Sequence, residues 1–217
     1  MSATRPRPRG VIFDLDGTLV DSFADIAAAL NRTRARFDLP ALPLEAVRAK
    51  VGSGSEYLVR ELVPLPPAQA EAALQHYLAS YEETALQETR VYPGALEVLE
   101  HFRGRPLAVV TNKPLHIARR VLQGLDLWER FRMVLGGDSL ARRKPDPLPV
   151  RHVLACFALP AGRALLIGDG VHDVRAGRAA GVPIVAVTTG VEPRAVLEAE
   201  RPTHVIDSLD ELLTLYA

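Results

Sequence analysis

Short apolar runs punctuate the chain, and they are continuous rather than alternating. Residues 11–13, 107–110, 133–135, 164–167 and 184–187 each read as a strand, with 204–206 a weaker sixth. A strand with one wet face alternates apolar and polar positions. A continuous run fits a strand covered on both faces, as in a parallel sheet. Between the runs, apolar positions recur at helical spacing, as from Leu115 to Leu122, where Gly124 follows as a stop. Ser208 and Glu211 have the spacing of a capping box that would open a last helix. This alternation predicts an α/β fold: a Rossmann-like, doubly wound, mainly parallel sheet.

The intervals between strands are uneven. From Thr111 to Met133 is 22 residues and from Leu135 to Ala164 is 29, each enough for one helix and its loops. From Asp14 to Leu107 is 93, far too many for one crossover. The segment from about Ser22 to Val91 shows no convincing strand. It reads as helices over 23–37, 44–50, 56–63 and 67–86, broken by Pro64, Pro66 and Pro67. The expected organisation is a catalytic core of residues 1–21 and 92–217, with an all-helical cap domain, 22–91, inserted after the first strand.

Composition narrows the partners. At 217 residues and 48% hydrophobic, the chain can bury a core. Its 26 basic residues balance 26 acidic ones, which argues against nucleic acid, since a phosphate backbone demands a basic surplus. No run approaches the ~18 apolar residues of a membrane span. The basic, Pro-rich tail from Met1 to Arg9 reads as a frayed, solvated end and not as a signal peptide, so a cytoplasmic protein is expected. The single cysteine, Cys156, sits in an apolar stretch and is expected to be buried. Within the positive charges, 23 are Arg and only three are Lys: Lys50, Lys113 and Lys144.

Ligands of open α/β sheets bind beyond the carboxyl ends of the strands. The polar residues there are Asp14-Leu15-Asp16-Gly17-Thr18 after the first strand and Thr111-Asn112-Lys113 after the second. Lys144-Pro145 comes past a loop after the third, and Gly168-Asp169 with Asp173 after the fourth. Each is weak alone: Asp-x-Asp-Gly occurs in turns and calcium loops, and Thr111-Asn112 could merely cap a helix. Together they bring four carboxylates, a hydroxyl and an ammonium to one rim. Carboxylates so crowded are unfavourable without a cation, and hard oxygen ligands suit Mg²⁺.

The ordered set resembles the haloacid dehalogenase superfamily, with motif one matched from Phe13 to Ser22 and a helical cap following it. The resemblance implies a phosphatase in which Asp14 attacks phosphorus and forms an aspartyl phosphate. Asp16 would protonate the leaving oxygen and then take a proton from water. Thr111 would hydrogen-bond a phosphoryl oxygen, helped by backbone N–H groups near Asn112, and Lys144 would offset the negative charge on Asp14 and the phosphoryl group. Mg²⁺ would be held by Asp14, Asp16 (through its carbonyl), Asp169 and Asp173. Asp16 favours phosphoryl chemistry, since halide expulsion needs no proton donor. One departure is Gly170, where many relatives carry Ser.

The runs 109–114, 136–139 and 143–147 look like those of phosphoglycolate phosphatases, as does the cap stretch 47–54. The implied substrate is a small phosphorylated metabolite, and the expected state is monomer or homodimer. The Gly52-Ser53-Gly54 loop would face the site; it could equally be a plain turn. Lys50, Arg48 and Arg60 are candidates for meeting a carboxylate on the leaving group, each with the alternative of being a solvated surface charge. His172 could approach substrate or metal, or stay a solvated loop residue. A pyrophosphatase, nucleotidase, sugar-phosphate phosphatase or phosphomutase would share every motif. Lys144→Arg is expected to impair catalysis, and Lys113→Arg to matter less.

Overall fold

The computed structural model describes residues 7–217. The expected frayed tail falls mostly outside them; its described end is docked, with Pro8 buried and the Arg9 N–H donating to Arg163 O at 2.6 Å. The chain runs β1 (Gly10–Phe13), β2 (Val20–Asp21), α1 (Phe23–Arg36), α2 (Leu44–Arg48), α3 (Ser55–Leu62), α4 (Pro67–Thr84), β3 (Arg90–Val91) and α5 (Ala95–His101). It continues through β4 (Leu107–Val110), α6 (Leu115–Gly124), β5 (Met133–Leu135), α7 (Leu148–Cys156), β6 (Ala164–Gly168) and α8 (Val171–Ala180). It ends with β7 (Ile184–Val187), α9 (Arg194–Ala199), β8 (His204–Ile206) and α10 (Glu211–Leu215).

Six strands form one parallel sheet in the order β5-β4-β1-β6-β7-β8. Every expected strand is present. This is the doubly wound order, in which the winding reverses at β1, the position where such sheets bind ligands. Alternate residues serve opposite faces. Val11, Phe13, Val109 and Ile167 pack with α5 and α6, while Ile12, Ala108, Val110 and Leu166 pack with α7 and α8. Each buried Phe, Val, Ile or Leu contributes roughly 1.5–3 kcal/mol relative to an exposed one.

The long interval holds α1 to α4, as the helical spacing predicts. Their core is continuous with the β1 side of the sheet, through Ile26, Leu30, Leu58, Tyr77 and Tyr81. The expectation of no strand up to Val91 needs correcting at its end. Arg90–Val91 pairs antiparallel with Val20–Asp21 in a two-stranded ribbon at the root of the helical segment. Two-residue strands leave no periodic trace, so hydrophobic patterning could not show them. Asp25, fully buried in the first turn of α1, accepts from the Glu88 and Thr89 N–H groups and the Thr89 hydroxyl, tying the two crossing strands together.

Two local expectations also change. Cys156 is exposed, because α7 buries Pro149, Val150, Val153 and Leu154 and turns its last residue outward. The last helix starts at Glu211, not next to Ser208, and only half of the capping box forms. The Glu211 carboxylate accepts from the Ser208 N–H at 3.2 Å, while the Ser208 side chain caps nothing. No helix among the described residues is long and apolar enough to cross a membrane.

Candidate active site

Strand register sets the site. Phe13 is level with Val109 on β4 and Ile167 on β6, so Asp14, Thr111 and Asp169 leave neighbouring strands at nearly the same height. The Asp14 N–H still donates to Ile167 O at 2.8 Å, which fixes its backbone as an extension of β1. Asp173 arrives from the first turn of α8. Its Oδ2 accepts from the Gly170 N–H at 3.2 Å, leaving Oδ1 for Lys144.

Lys144 joins the two acids. Its Nζ lies 2.8 Å from Asp14 Oδ1 and 2.7 Å from Asp173 Oδ1, and all but 3% of the residue is buried. Burial works against the ammonium, but the two carboxylates outweigh it and push its pKa up. Asp169 is steadied by the Thr18 hydroxyl, which donates to Oδ1 at 2.9 Å. Gly17 has φ +82°, and a Cβ there would stand 2.4 Å from Asp169 Oδ2, so glycine is required by both conformation and space. Gly190 has the same spatial role from the loop after β7, where a Cβ would fall on the Asp169 carboxylate.

The donor atoms of Asp14, Asp169 and Asp173 all lie within 4.8 Å of one another. Three carboxylates thus face one ammonium. Burial first, then Asp173, pushes Asp14 up to about 7, with Lys144 opposing. Burial, then Asp14, raises Asp169 well above the carboxylate range. A set of oxygen donors this short of positive charge fits a hard divalent cation, whose charge would cancel the excess.

Asp16 points to a different corner. Its Oδ1 accepts from the Ser22 hydroxyl at 2.5 Å and from Lys113 Nζ at 2.5 Å. Lys113 is as deeply placed as Lys144. Its Nζ also donates to the Tyr81 hydroxyl at 2.5 Å and sits 4.6 Å from that ring's centroid, so a cap helix holds it. The sequence expectation gave Lys113 a minor part; a lysine after a strand end can point anywhere, and only packing against α4 turns this one inward. Thr18 and Tyr81 were likewise not singled out. Thr18 had a signal, its place inside motif one, whereas Tyr81 reads as an ordinary core position of α4.

The Asn112 side chain is engaged within the protein. Its amide donates to Lys144 O at 2.9 Å and to Gly52 O of the cap loop at 2.8 Å. The side-chain NH₂ is thereby committed to holding loops, which leaves the expected role of the backbone N–H groups near Asn112 untouched. Thr111 stays available; its hydroxyl accepts from the Lys113 N–H at 3.2 Å and lines the cavity. The Gly52–Gly54 loop does face the site. Ser53 Oγ is 2.8 Å from His172 Nε2, and burial lowers the His172 pKa below its usual value. Arg48 donates to Thr189 O and Gly190 O, latching α2 to the loop against Asp169. Arg60 is exposed and pairs with Glu61.

These groups enclose a cavity of about 210 Å³ between cap and sheet. All three lysines line it: Lys50, Lys113 and Lys144. No arginine among the described residues does.

A parallel sheet whose carboxylates gather at the switch point, beneath a helical segment and around an enclosed cavity, has the form of an enzyme active site. Comparison with known families agrees. Residues 11–187 match the model of the haloacid dehalogenase-like hydrolases, and the chain belongs to that family. It is 42% identical over 205 residues to a phosphoglycolate phosphatase of Rhodospirillum rubrum, covering 88% of this chain and 85% of that one. It is 39% identical over 215 residues to a phosphoglycolate phosphatase of Pseudomonas fluorescens, covering 95% and 79%. A solved structure described as a predicted phosphoglycolate phosphatase from Haemophilus somnus superposes with TM-score 0.89 at 28% identity, covering 96% and 98%.

Proposed function

We propose that the chain hydrolyses a phosphate monoester through an aspartyl phosphate on Asp14, and that its substrate is 2-phosphoglycolate. The observation that carries the mechanism is the unlike surroundings of two acids separated by a single residue. Asp14 lies in the anionic nest with Lys144, Asp169 and Asp173; Asp16 is turned out of it, toward Ser22 and Lys113. Two carboxylates in unlike surroundings suit a nucleophile and an acid–base partner.

In this reading Asp14 attacks phosphorus and the ester P–O bond breaks, while Asp16 gives its proton to the departing oxygen. Asp16 then takes a proton from the water that cleaves the acyl phosphate, which restores both residues. Lys144 neutralises Asp14 and the phosphoryl oxygens, and the Thr111 hydroxyl donates to one of those oxygens. Mg²⁺, held by Asp14, Asp169, Asp173 and the Asp16 carbonyl, would supply charge neutralisation on the transferring group. Asp173 orients Lys144 throughout.

The names of the relatives and the size of the cavity support the substrate. Pockets for drug-sized ligands run to ~300–1,000 Å³, and this one holds about 210 Å³, which favours a leaving group of a few atoms over a nucleoside or sugar. The same proposal takes the compartment as the cytoplasm and the assembly as a monomer or homodimer, and the helical segment 22–91 as a cap that closes over the site.

The test is phosphate release from a panel of monoesters, with Mg²⁺ or with EDTA, for the wild type and Asp14→Asn. Phosphoglycolate should lead the panel, and both chelation and the substitution should abolish turnover. Activity that survives either one would defeat the mechanism; a sugar phosphate or nucleotide leading the panel would defeat the substrate.

A further inference from the structure

We propose that Lys113, a residue of the core and not of the cap, is the group that recognises the carboxylate of the substrate's leaving group. This rests on the substrate class proposed above and adds to it the residue that selects it.

Proximity decides among the cations. The oxygen that Asp16 protonates must lie within hydrogen-bond reach of Asp16. In a two-carbon carboxylate alcohol, the carboxylate carbon is two bonds, about 2.5 Å, from that oxygen. The group that reads the carboxylate must therefore adjoin Asp16. Three lysines line the cavity. Lys144 is taken by Asp14 and Asp173. Lys50 has a 41% exposed side chain and leans toward Glu61, 3.9 Å away. Lys113 alone touches Asp16, at 2.5 Å, and its side chain is 98% buried by a 2% exposure.

Its surroundings suit the task. Lys113 is held by the Tyr81 hydroxyl and lies against the Tyr81 ring, so it is positioned with one of its three N–H donors on Tyr81 and one on Asp16. The third donor can meet an incoming carboxylate, and a charge-assisted hydrogen bond out of water is a strong one. Tyr81 comes from α4, so closing the cap also sets the lysine. The expected cationic readers in the cap are otherwise engaged: Arg48 on the Thr189 and Gly190 carbonyls, Arg60 on Glu61 at the surface.

The test compares 2-phosphoglycolate with ethyl phosphate, which keeps the ester and the two carbons and lacks the carboxylate. Wild type, Lys113→Met and Tyr81→Phe are assayed for kcat and KM, with thermal melts to establish folding. Lys113→Met should cost both substrates whatever its contact with Asp16 contributes, and should lower kcat/KM for phosphoglycolate by a further factor of about 30 or more over ethyl phosphate, that excess lying mostly in KM. Tyr81→Phe should shift the same ratio in the same direction, by about fivefold, and it carries the test if the methionine variant does not fold. Equal losses on both substrates would overturn the proposal, since Lys113 would then act on Asp16 alone; the phosphoglycolate reading would stand. If another carboxylate-bearing monoester outperforms phosphoglycolate and still depends on Lys113, the role of Lys113 is supported and the substrate reading fails. A wild type indifferent to the carboxylate overturns both.

Discussion

The two sides of the cavity solve the same electrostatic problem in different ways. On one side Asp14, Asp169 and Asp173 crowd around Lys144 and remain short of positive charge. On the other, Asp16 has a lysine of its own, a serine hydroxyl, and no second acid in contact among the described residues. The first side is built to be completed by something from outside; the second is complete within the chain. In the proposed mechanism, the contrast separates a group that must bear a phosphoryl from one that must only pass a proton.

The largest effect should come from the two acids. Asp14→Asn should cost at least ~10⁴-fold in kcat, as expected when a nucleophile is removed. Asp16→Asn should cost ~10²–10⁴-fold, the range of a lost general acid–base group. Rapid-quench assays sharpen the difference: Asp16→Asn should accumulate phosphoenzyme with a good leaving group, and Asp14→Asn should form none. A phosphoenzyme in Asp14→Asn would erase the distinction between the two sides.

Next is Lys144→Arg. The pocket joins one ammonium to two carboxylate oxygens at 2.8 and 2.7 Å inside a buried nest. A planar guanidinium is bulkier and cannot occupy that point. Steady-state kinetics should show a loss of ~10²-fold despite the preserved charge. Near-normal turnover would mean that charge, not shape, is what the nest needs.

A third prediction concerns pH. Asp14 is pushed from 3.8 to about 7 when no cation is bound. The folded state then holds a proton that the unfolded state releases above pH ~4. Stability from this group is therefore fully present below about pH 4 and is lost as pH rises through 7. Metal-free protein should melt at lower temperature at pH 8 than at pH 5. Added Mg²⁺ should raise the melting point more at pH 8, because the cation requires deprotonated ligands. A flat profile in EDTA would show that the nest is balanced without a cation.

The smallest effect is expected at Gly170. A Cβ there would meet nothing closer than Asp173 Oδ2 at 3.6 Å, and the backbone is in the ordinary extended region. Gly170→Ser should change stability by less than ~0.5 kcal/mol and leave kinetics essentially unchanged. A large gain in activity would mean that the missing hydroxyl belongs to the metal side after all.

Most of the fold was legible because buried parallel strands write themselves as unbroken apolar runs. Each of the six fell where its run lies. The acids were legible for a related reason: a charged residue directly after such a run has nowhere to go but the rim. What could not be read was what depends on packing between distant segments. Lys113 turns inward only because Tyr81, 32 residues earlier, gives it a partner. The β2–β3 ribbon joins segments that are too short to carry a period. The loop after β7 mattered through Gly190, whose lack of a side chain makes room for Asp169, a reason invisible without the neighbour. Cys156 went the other way, since its apolar neighbours belong to the buried face of α7 and it does not.

The placing of every lysine on one cavity has a practical consequence. Apart from the amino terminus, an amine-selective acylating reagent finds no target on this chain that is not also part of the site. Lys50, half open, would take label first; Lys113 and Lys144, both buried, would take it only when the site opens to solvent. The order in which three masses appear would time the opening of the enzyme without any engineered probe.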